Sequence, residues 1–284
     1  QGYEVVLVEK EERLGGMANR LRSTIEGWDV RRYLQELAAR VQSHPKIQTL
    51  TRALVVNFSG FKGNFTTEVL VGPAMYERKI EHGAVILATG AGEYRPTEYL
   101  YGQDERVLTQ VELSARLHER GAQGLANVVM IQCVGSRNEQ NPNCSRVCCQ
   151  AAVKNAIHIK KLNPETQVCV LYRDLRTYGL LEAYYQEARR LGVLFFRYET
   201  QAPPRVEAGN GRLSVSFRDG IIGRDLQVDA DLVALSAGMV PADTEELASL
   251  VKLARTPEGH FLEAHVKLRP VDLATEGLFI CVPA

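Results

Sequence analysis

The sequence has no apolar run approaching the ~20 residues that a membrane-spanning helix needs. Its N-terminus also lacks the basic and apolar regions of a signal peptide, so the 284-residue chain reads as cytoplasmic and without a transmembrane segment. It has no excess of either charge, since 34 Lys and Arg face 34 Asp and Glu. Duplex affinity comes mostly from phosphate neutralisation by clustered cations, so nucleic acid is not an expected partner. Hydrolytic signatures are missing as well: there is no G-x-S-x-G and no H-E-x-x-H, and the 6 histidines are scattered with no metal or triad spacing. No acid-base catalytic residue is therefore expected. Also absent is the phosphate-cradling G-x-G-x-x-G loop. What remains is an ordinary globular composition, 45% hydrophobic and 24% charged, in a chain long enough for two domains of ~150 residues each.

Gln1 to Glu9 form an apolar, β-branched run ending in an acid, the pattern of a buried parallel strand. In dinucleotide-binding units such a strand ends in a carboxylate that hydrogen-bonds a ribose. Glu9 occupies that place, followed by Lys10 and the turn Gly15-Gly16-Met17; the plain alternative is a core strand followed by a glycine turn. Because the upstream glycine loop is missing, the chain is expected to be an N-terminally truncated piece.

Val30, Leu34, Leu37, Ala38 and Val41 recur at helical spacing, and Pro45 stops that helix. Strands at 54–58, 64–71 and 76–81, punctuated by Gly60, Gly63 and Gly72-Pro73, predict a small antiparallel meander. Ala84 to Gly90 is an apolar strand closing in small residues. A second alternating series follows: helix 109–119, strand 127–132, helix 145–162, strand 167–172, helix 179–191 and strand 193–198. Alternation of this kind implies a parallel sheet. Asn210-Gly211 and Asp219-Gly220 then mark turns between antiparallel segments, and Asp231 to Ala237 repeats the pattern of 84–90. The expected architecture is α/β, with two nucleotide-binding-like domains of Rossmann type, the second nested in the first: 1–105, 106–240 and a return at 241–284.

Four of the 6 cysteines, Cys133, Cys144, Cys148 and Cys149, crowd between positions 133 and 149. Cys133 ends a strand where a nucleotide-binding unit would carry its glycine loop. Reading the helix from Ser145 puts Cys144 and Cys148 on one face and Cys149 about 100° around it. Adjacent cysteines pair only with strain, and the chain reads as cytosolic, so disulfides are not expected. An iron-sulfur cluster, a tetrahedral zinc and bare packed thiols stay open as readings. Arg137, Arg146 and Lys154 stand by to offset thiolate charge. Cys169 and Cys281 sit inside apolar strands and read as small buried hydrophobes.

Ile131 to Arg137, Cys144 to Cys149 and Tyr172 to Gly179 together resemble the A-subunit of heterodisulfide reductase and its bacterial relatives. The resemblance extends over nearly the whole chain, through Glu9, Gly15-Gly16, Ile86 to Gly90, Pro96 to Gly102 and Lys267 to Val271. It implies a thioredoxin-reductase-like flavoprotein that binds FAD and holds a 4Fe-4S cluster. By that likeness Glu9 holds the FAD ribose with Lys10 beside it, Gly16 and Met17 line the cofactor, Leu54 and Val55 lie at the adenine, and Thr89-Gly90 approach the isoalloxazine. Cys133, Cys144, Cys148 and Cys149 are the implied cluster ligands. The implied function is electron transfer between FAD and the cluster to iron-sulfur partner subunits of a heterodisulfide-reductase-like complex, with a homodimer as a further possibility. Alternatives are an NAD(P)H-dependent flavoprotein oxidoreductase with inert cysteines and a non-catalytic scaffold subunit holding a cluster. Arg173 reads either as a phosphate ligand or as a brace for the cysteine loop. Three features depart from the family pattern: the missing glycine loop, the lack of cysteine between 60 and 85 where many members carry a ferredoxin insertion, and Val282 in place of a glycine. The last of these suggests C-terminal truncation as well.

Overall fold

A computed structural model describes residues 2–209 and 211–281; Val282 and Asn210, both singled out above, lie outside them. The described residues fall into two compact units. One comprises residues 2–19, 31–92 and 240–281, the other 20–30, 93–209 and 211–239.

The first unit opens with β1 (Val5–Val8), α1 (Val30–Ser43) and β2 (Ile47–Leu50). β1 pairs with β2 in parallel, as expected, but it is not buried: Val5 and Val6 are exposed. Its only ladder among the described residues is with β2, so no strand covers its other edge there. The meander is β3 (Ala53–Phe61), β4 (Asn64–Val71) and β5 (Tyr76–His82), antiparallel throughout. β6 (Val85–Leu87) follows, and β7 (Ala91–Glu93) carries the chain into the second unit.

That unit contains β8 (Val107–Thr109), α2 (Gln110–Arg120), β9 (Asn127–Val134), α3 (Cys148–Leu162), β10 (Gln167–Tyr172), α4 (Glu182–Arg190) and β11 (Leu194–Arg197). An antiparallel meander of β12 (Arg205–Gly209), β13 (Arg212–Arg218) and β14 (Asp225–Ala230) precedes β15 (Leu232–Ala237). The five-stranded sheet runs β11-β10-β9-β15-β8, every pair parallel. Its central strand reads as a continuous apolar run because both faces are covered. On one face Met130 and Ala234 pack against Leu113 and Leu117 of α2, Ala152, Val153 and Ala156 of α3 and Ala188 of α4. On the other, Ile131, Leu171 and Leu235 pack against Leu213, Val215 and Phe217 of the meander. α2 is fixed by a capping box, Thr109 accepting from the Glu112 amide while the Glu112 carboxylate accepts from Thr109.

β16 (Met239–Pro241) returns the chain to the first unit, which ends with α5 (Glu245–Leu250), β17 (Glu263–His265), β18 (Arg269–Leu273) and β19 (Leu278–Ile280). These strands extend from β6, which β19 joins in parallel, over a core of Phe65, Leu87, Leu273 and Leu278. Cys281, expected in a core, is exposed just beyond the β19 ladder, whereas Cys169 is buried as expected.

Asp231 anchors the entry to the central strand. Its Oδ2 accepts from the amides of Ala126 and Asn127, both at 2.8 Å. Asp231→Ala leaves the exposed Ala126 amide to water but takes the partner from the part-buried Asn127 amide, and is expected to cost about 1 kcal/mol, read as a lower urea midpoint with an unchanged slope.

Candidate functional site

In the order β11-β10-β9-β15-β8, successive connections from β9 build outward through β10 and β11, while β15 and β8 fill the opposite side. The reversal lies between β9 and β15, and ligands of open α/β sheets bind outside the carboxyl ends of strands at such a point. Cys133 stands there, at the end of β9.

The local backbone is unusual. Ile131 pairs with Leu235 and Val134 with Ala237, so Gln132 and Cys133 together oppose Ser236 alone. This is a β-bulge, which re-aims the side chain it carries. Of nine non-glycine residues with positive φ among those described, three are in this loop: Cys133 (63°), Arg137 (57°) and Arg146 (58°). Such conformations persist only where the surroundings over-determine them. Here Arg173 does much of the fixing, donating from Nη1 to the Arg137 carbonyl and from Nη2 to the Ser136 carbonyl, each at 2.9 Å. Asn141 Nδ2 donates to the Gly135 carbonyl at 3.1 Å, and the Met239 amide to Ser145 Oγ at 2.6 Å. Of the two readings of Arg173, the geometry displays the brace.

The left-handed Arg146 also corrects the expected helix. α3 begins at Cys148 rather than Ser145, because a residue at φ 58° cannot continue a right-handed helix. Cys144 is therefore a loop residue, and helical periodicity does not place it beside Cys148. The loop's return does: Cys133, Cys144, Cys148 and Cys149 line one open cavity of about 280 Å³, together with Arg137, Arg146, Asp174 and Arg176.

All four cysteines are free thiols. Burial pushes the Cys148 thiol up to about 12 and the Cys149 thiol up to about 11, with the neighbouring cysteines adding to both. Cys148 donates to the Ala237 carbonyl at 3.3 Å and Cys149 to the Asp174 carbonyl at 3.8 Å. Arg137 donates from Nη1 to Cys133 Sγ at 3.9 Å and pairs through Nη2 with Asp174 at 2.7 Å. In kind, four thiols, three guanidinium groups and the first turn of α3 suit a thiolate-held group, since cations and helix N-termini favour thiolate. Among the described residues no group of three or more His, Cys, Asp or Glu side chains is arranged to hold a single metal ion.

The residues implied for FAD fall in the first unit and form two groups. Glu9 ends β1, its carboxylate accepting from the Glu11 amide at 2.9 Å. The amide of Ala53 donates to the Glu9 carbonyl at 3.0 Å, which brings Leu54 and Val55 on β3 close behind; Leu54 is exposed. Lys10 and Gly16 are exposed and Met17 is half-buried. Thr89 and Gly90 form the second group, lining a cavity of about 200 Å³ with Pro241, Ala242, Thr244, Gly259, His260 and Phe261. The Thr244 hydroxyl there is buried without a hydrogen-bond partner among the described residues. At Gly90, φ 69°, no heavy atom of the described residues other than the glycine and its chain neighbours lies within 4 Å of where a Cβ would stand. Open backbone and an orphaned hydroxyl suit a polar ligand edge, so this group fits a cofactor. The sequence pattern points to Thr89-Gly90 but not to Thr244 and His260, which carry no local motif.

Nor does it point to the groups behind Cys133. The Tyr198 hydroxyl donates to the Gln132 carbonyl at 2.7 Å, and burial raises its pKa well beyond the ordinary phenol value. Burial likewise pushes Tyr99 up to about 12, with Glu98 adding to the effect.

No family profile matches the chain. Among curated proteins it is 30% identical to the iron-sulfur A-subunit of CoB–CoM heterodisulfide reductase from Methanopyrus kandleri, across 98% of this chain and 57% of that protein. It is also 30% identical to the A-subunit of the H2/formate:CoB-CoM heterodisulfide,ferredoxin reductase from Methanococcus maripaludis, across 99% of this chain and 57% of that one. A shorter stretch, 72% of this chain, is 36% identical to the A-subunit of the H2:CoB-CoM heterodisulfide,ferredoxin reductase from Methanothermobacter thermautotrophicus, of which it covers 34%. The chain thus spans just over half the length of the first two relatives. The Methanopyrus alignment extends over 376 positions against the chain's 284 residues, so the relative carries stretches that this chain does not. Among solved structures, thioredoxin reductase of T. acidophilum matches with a TM-score of 0.63 at 13% identity, covering 99% of this chain and 82% of that one. Lactococcus lactis thioredoxin reductase matches at 0.61 and 15% identity, covering 98% and 89%. At such identities the likeness concerns the fold alone, an α/β architecture like that of these two thioredoxin reductases. No described helix is long and apolar enough to cross a membrane.

Proposed function

Since the chain belongs to the family of heterodisulfide reductase A-subunits, we propose that it forms the flavin- and cluster-bearing portion of such a redox protein. FAD is held in the first unit by Glu9, Lys10, Gly16, Met17, Leu54, Val55, Thr89 and Gly90. A 4Fe-4S cluster is held in the second by Cys133, Cys144, Cys148 and Cys149. The flavin supplies two-electron chemistry and the cluster one-electron chemistry, and electrons leave to iron-sulfur partner subunits in the cytoplasm. The two nucleotide-binding-like domains are assigned to 1–105 with 241–284, and to 106–240. The observation that carries the reading is the convergence of four cysteines, distant in the loop, on one cavity at the sheet's switch point.

A second reading, an NAD(P)H-dependent flavoprotein with inert cysteines, draws support from the hydrogen bonds of the Cys148 and Cys149 thiols to backbone carbonyls. Iron, sulfide and flavin analysis of anaerobically purified protein, with its absorption spectrum, separates the two. Four iron and four sulfide per cluster, with flavin, uphold the proposal; flavin and tight NADH binding without iron uphold the second reading.

A further inference from the structure

Three arginines line the cysteine cavity, and they are not equivalent. The Arg146 side chain has no bond to a cysteine sulfur among the described contacts; it is its backbone amide that donates to Cys144 Sγ, at 3.4 Å. Arg176 reaches Asp174 at 3.6 Å. Among the described residues Arg137 alone directs a guanidinium N–H at a cysteine sulfur, that of Cys133, at 3.9 Å. Its other terminal nitrogen is pinned by Asp174 at 2.7 Å, its carbonyl is held by Arg173 at 2.9 Å, and its backbone is set at φ 57°. The side chain is 22% exposed, so its charge acts through less water than a surface arginine's would. Such over-determination exceeds what loop closure needs, since Arg173 and Asn141 already tie the loop through Ser136 and Gly135.

A fixed cation with an N–H aimed at a ligand sulfur stabilises whichever redox state carries more negative charge. Hydrogen bonds to sulfur and net charge are the protein's main means of setting iron-sulfur potentials. Resting on the cluster reading above, we propose that Arg137 sets the reduction potential of the cluster held by Cys133, raising it through its charge and its N–H to Cys133 Sγ, with Asp174 as the positioning residue that aims it. One electron enters the cluster and no bond is made or broken, so the guanidinium acts only on the equilibrium.

The test is an anaerobic redox titration of the full chain followed by electron paramagnetic resonance, comparing wild type, Arg137→Lys and Arg137→Gln at equal iron content. The expected order of potentials is wild type, then Lys, then Gln. Gln is expected to weaken reduction about tenfold, which is about 59 mV for a one-electron couple. A role confined to loop structure would alter stability and iron content but leave the potential of the loaded fraction in place; equal potentials in all three proteins overturn the proposal. If Arg137→Gln holds no iron, Arg137→Lys decides alone: a lowered potential supports the directed N–H, and an unchanged one overturns it. Wild-type protein without iron overturns the cluster reading itself, and does so before any potential is measured.

Discussion

Cys133→Ser is expected to bring iron and sulfide in anaerobically reconstituted protein down to background, while Cys281→Ser leaves both at the wild-type level. The contrast rests on position. Cys133 lines the cavity with Cys144, Cys148 and Cys149, whereas Cys281 is exposed past the end of β19 in the other unit. A serine hydroxyl is a far poorer ligand for iron than a thiolate, and a cluster held by four cysteines loses a full corner with it. A cluster held there is bound by the folded loop and not by the unfolded chain, so its binding energy becomes folding energy. A ligand bound only by the folded state at 100 times its dissociation constant adds about 2.7 kcal/mol. Reconstitution is therefore expected to raise the melting temperature of wild type and of Cys281→Ser, and to leave that of Cys133→Ser where it was. Equal iron in all three proteins, or no iron in any, would sink the assignment of these four residues.

The sequence made some elements readable to the residue and hid others for identifiable reasons. β4 at 64–71 and β10 at 167–172 match the expected ends, because each is an alternating or continuous apolar run closed by turn residues on both sides. The start of α3 did not match. Periodicity assumes an unbroken helix, and nothing in the string Cys144-Ser145-Arg146-Val147 announces that Arg146 turns left-handed. The cysteines were legible as a set from their density, yet what gathers them is a bulge at Gln132-Cys133 and a brace from Arg173, a residue just past the end of β10. Long-range contacts of that kind leave no local periodicity. The same holds for β1, whose composition says buried while its surroundings leave Val5 and Val6 exposed.

Gly135→Ala is expected to destabilise the second unit by about 3 kcal/mol, combining roughly 1–2 for a left-handed alanine with roughly 1–3 for overpacking. Gly135 has φ 63°, and a Cβ built on it would stand 2.1 Å from Cδ1, 2.3 Å from Cε1 and 2.6 Å from Cγ of Tyr94. Those atoms run along one whole side of the ring, so the clash cannot be relieved by swinging a flexible tip. Tyr94 is itself held, packing on the core of Ile131, Leu213 and Leu235 with its hydroxyl donating to Glu98 at 3.4 Å. The two contributions separate in a double-mutant cycle. Made in a Tyr94→Ala background, Gly135→Ala should cost only the conformational part, about 1 kcal/mol, by urea midpoint at constant slope. An equal cost in both backgrounds would show that the ring is not the obstacle. Because the carbonyl of Gly135 accepts from Asn141 and the next residues are those clasped by Arg173, the displaced loop takes Cys133 with it. The single variant is therefore expected to hold less iron than wild type, and the double variant to recover part of that loss.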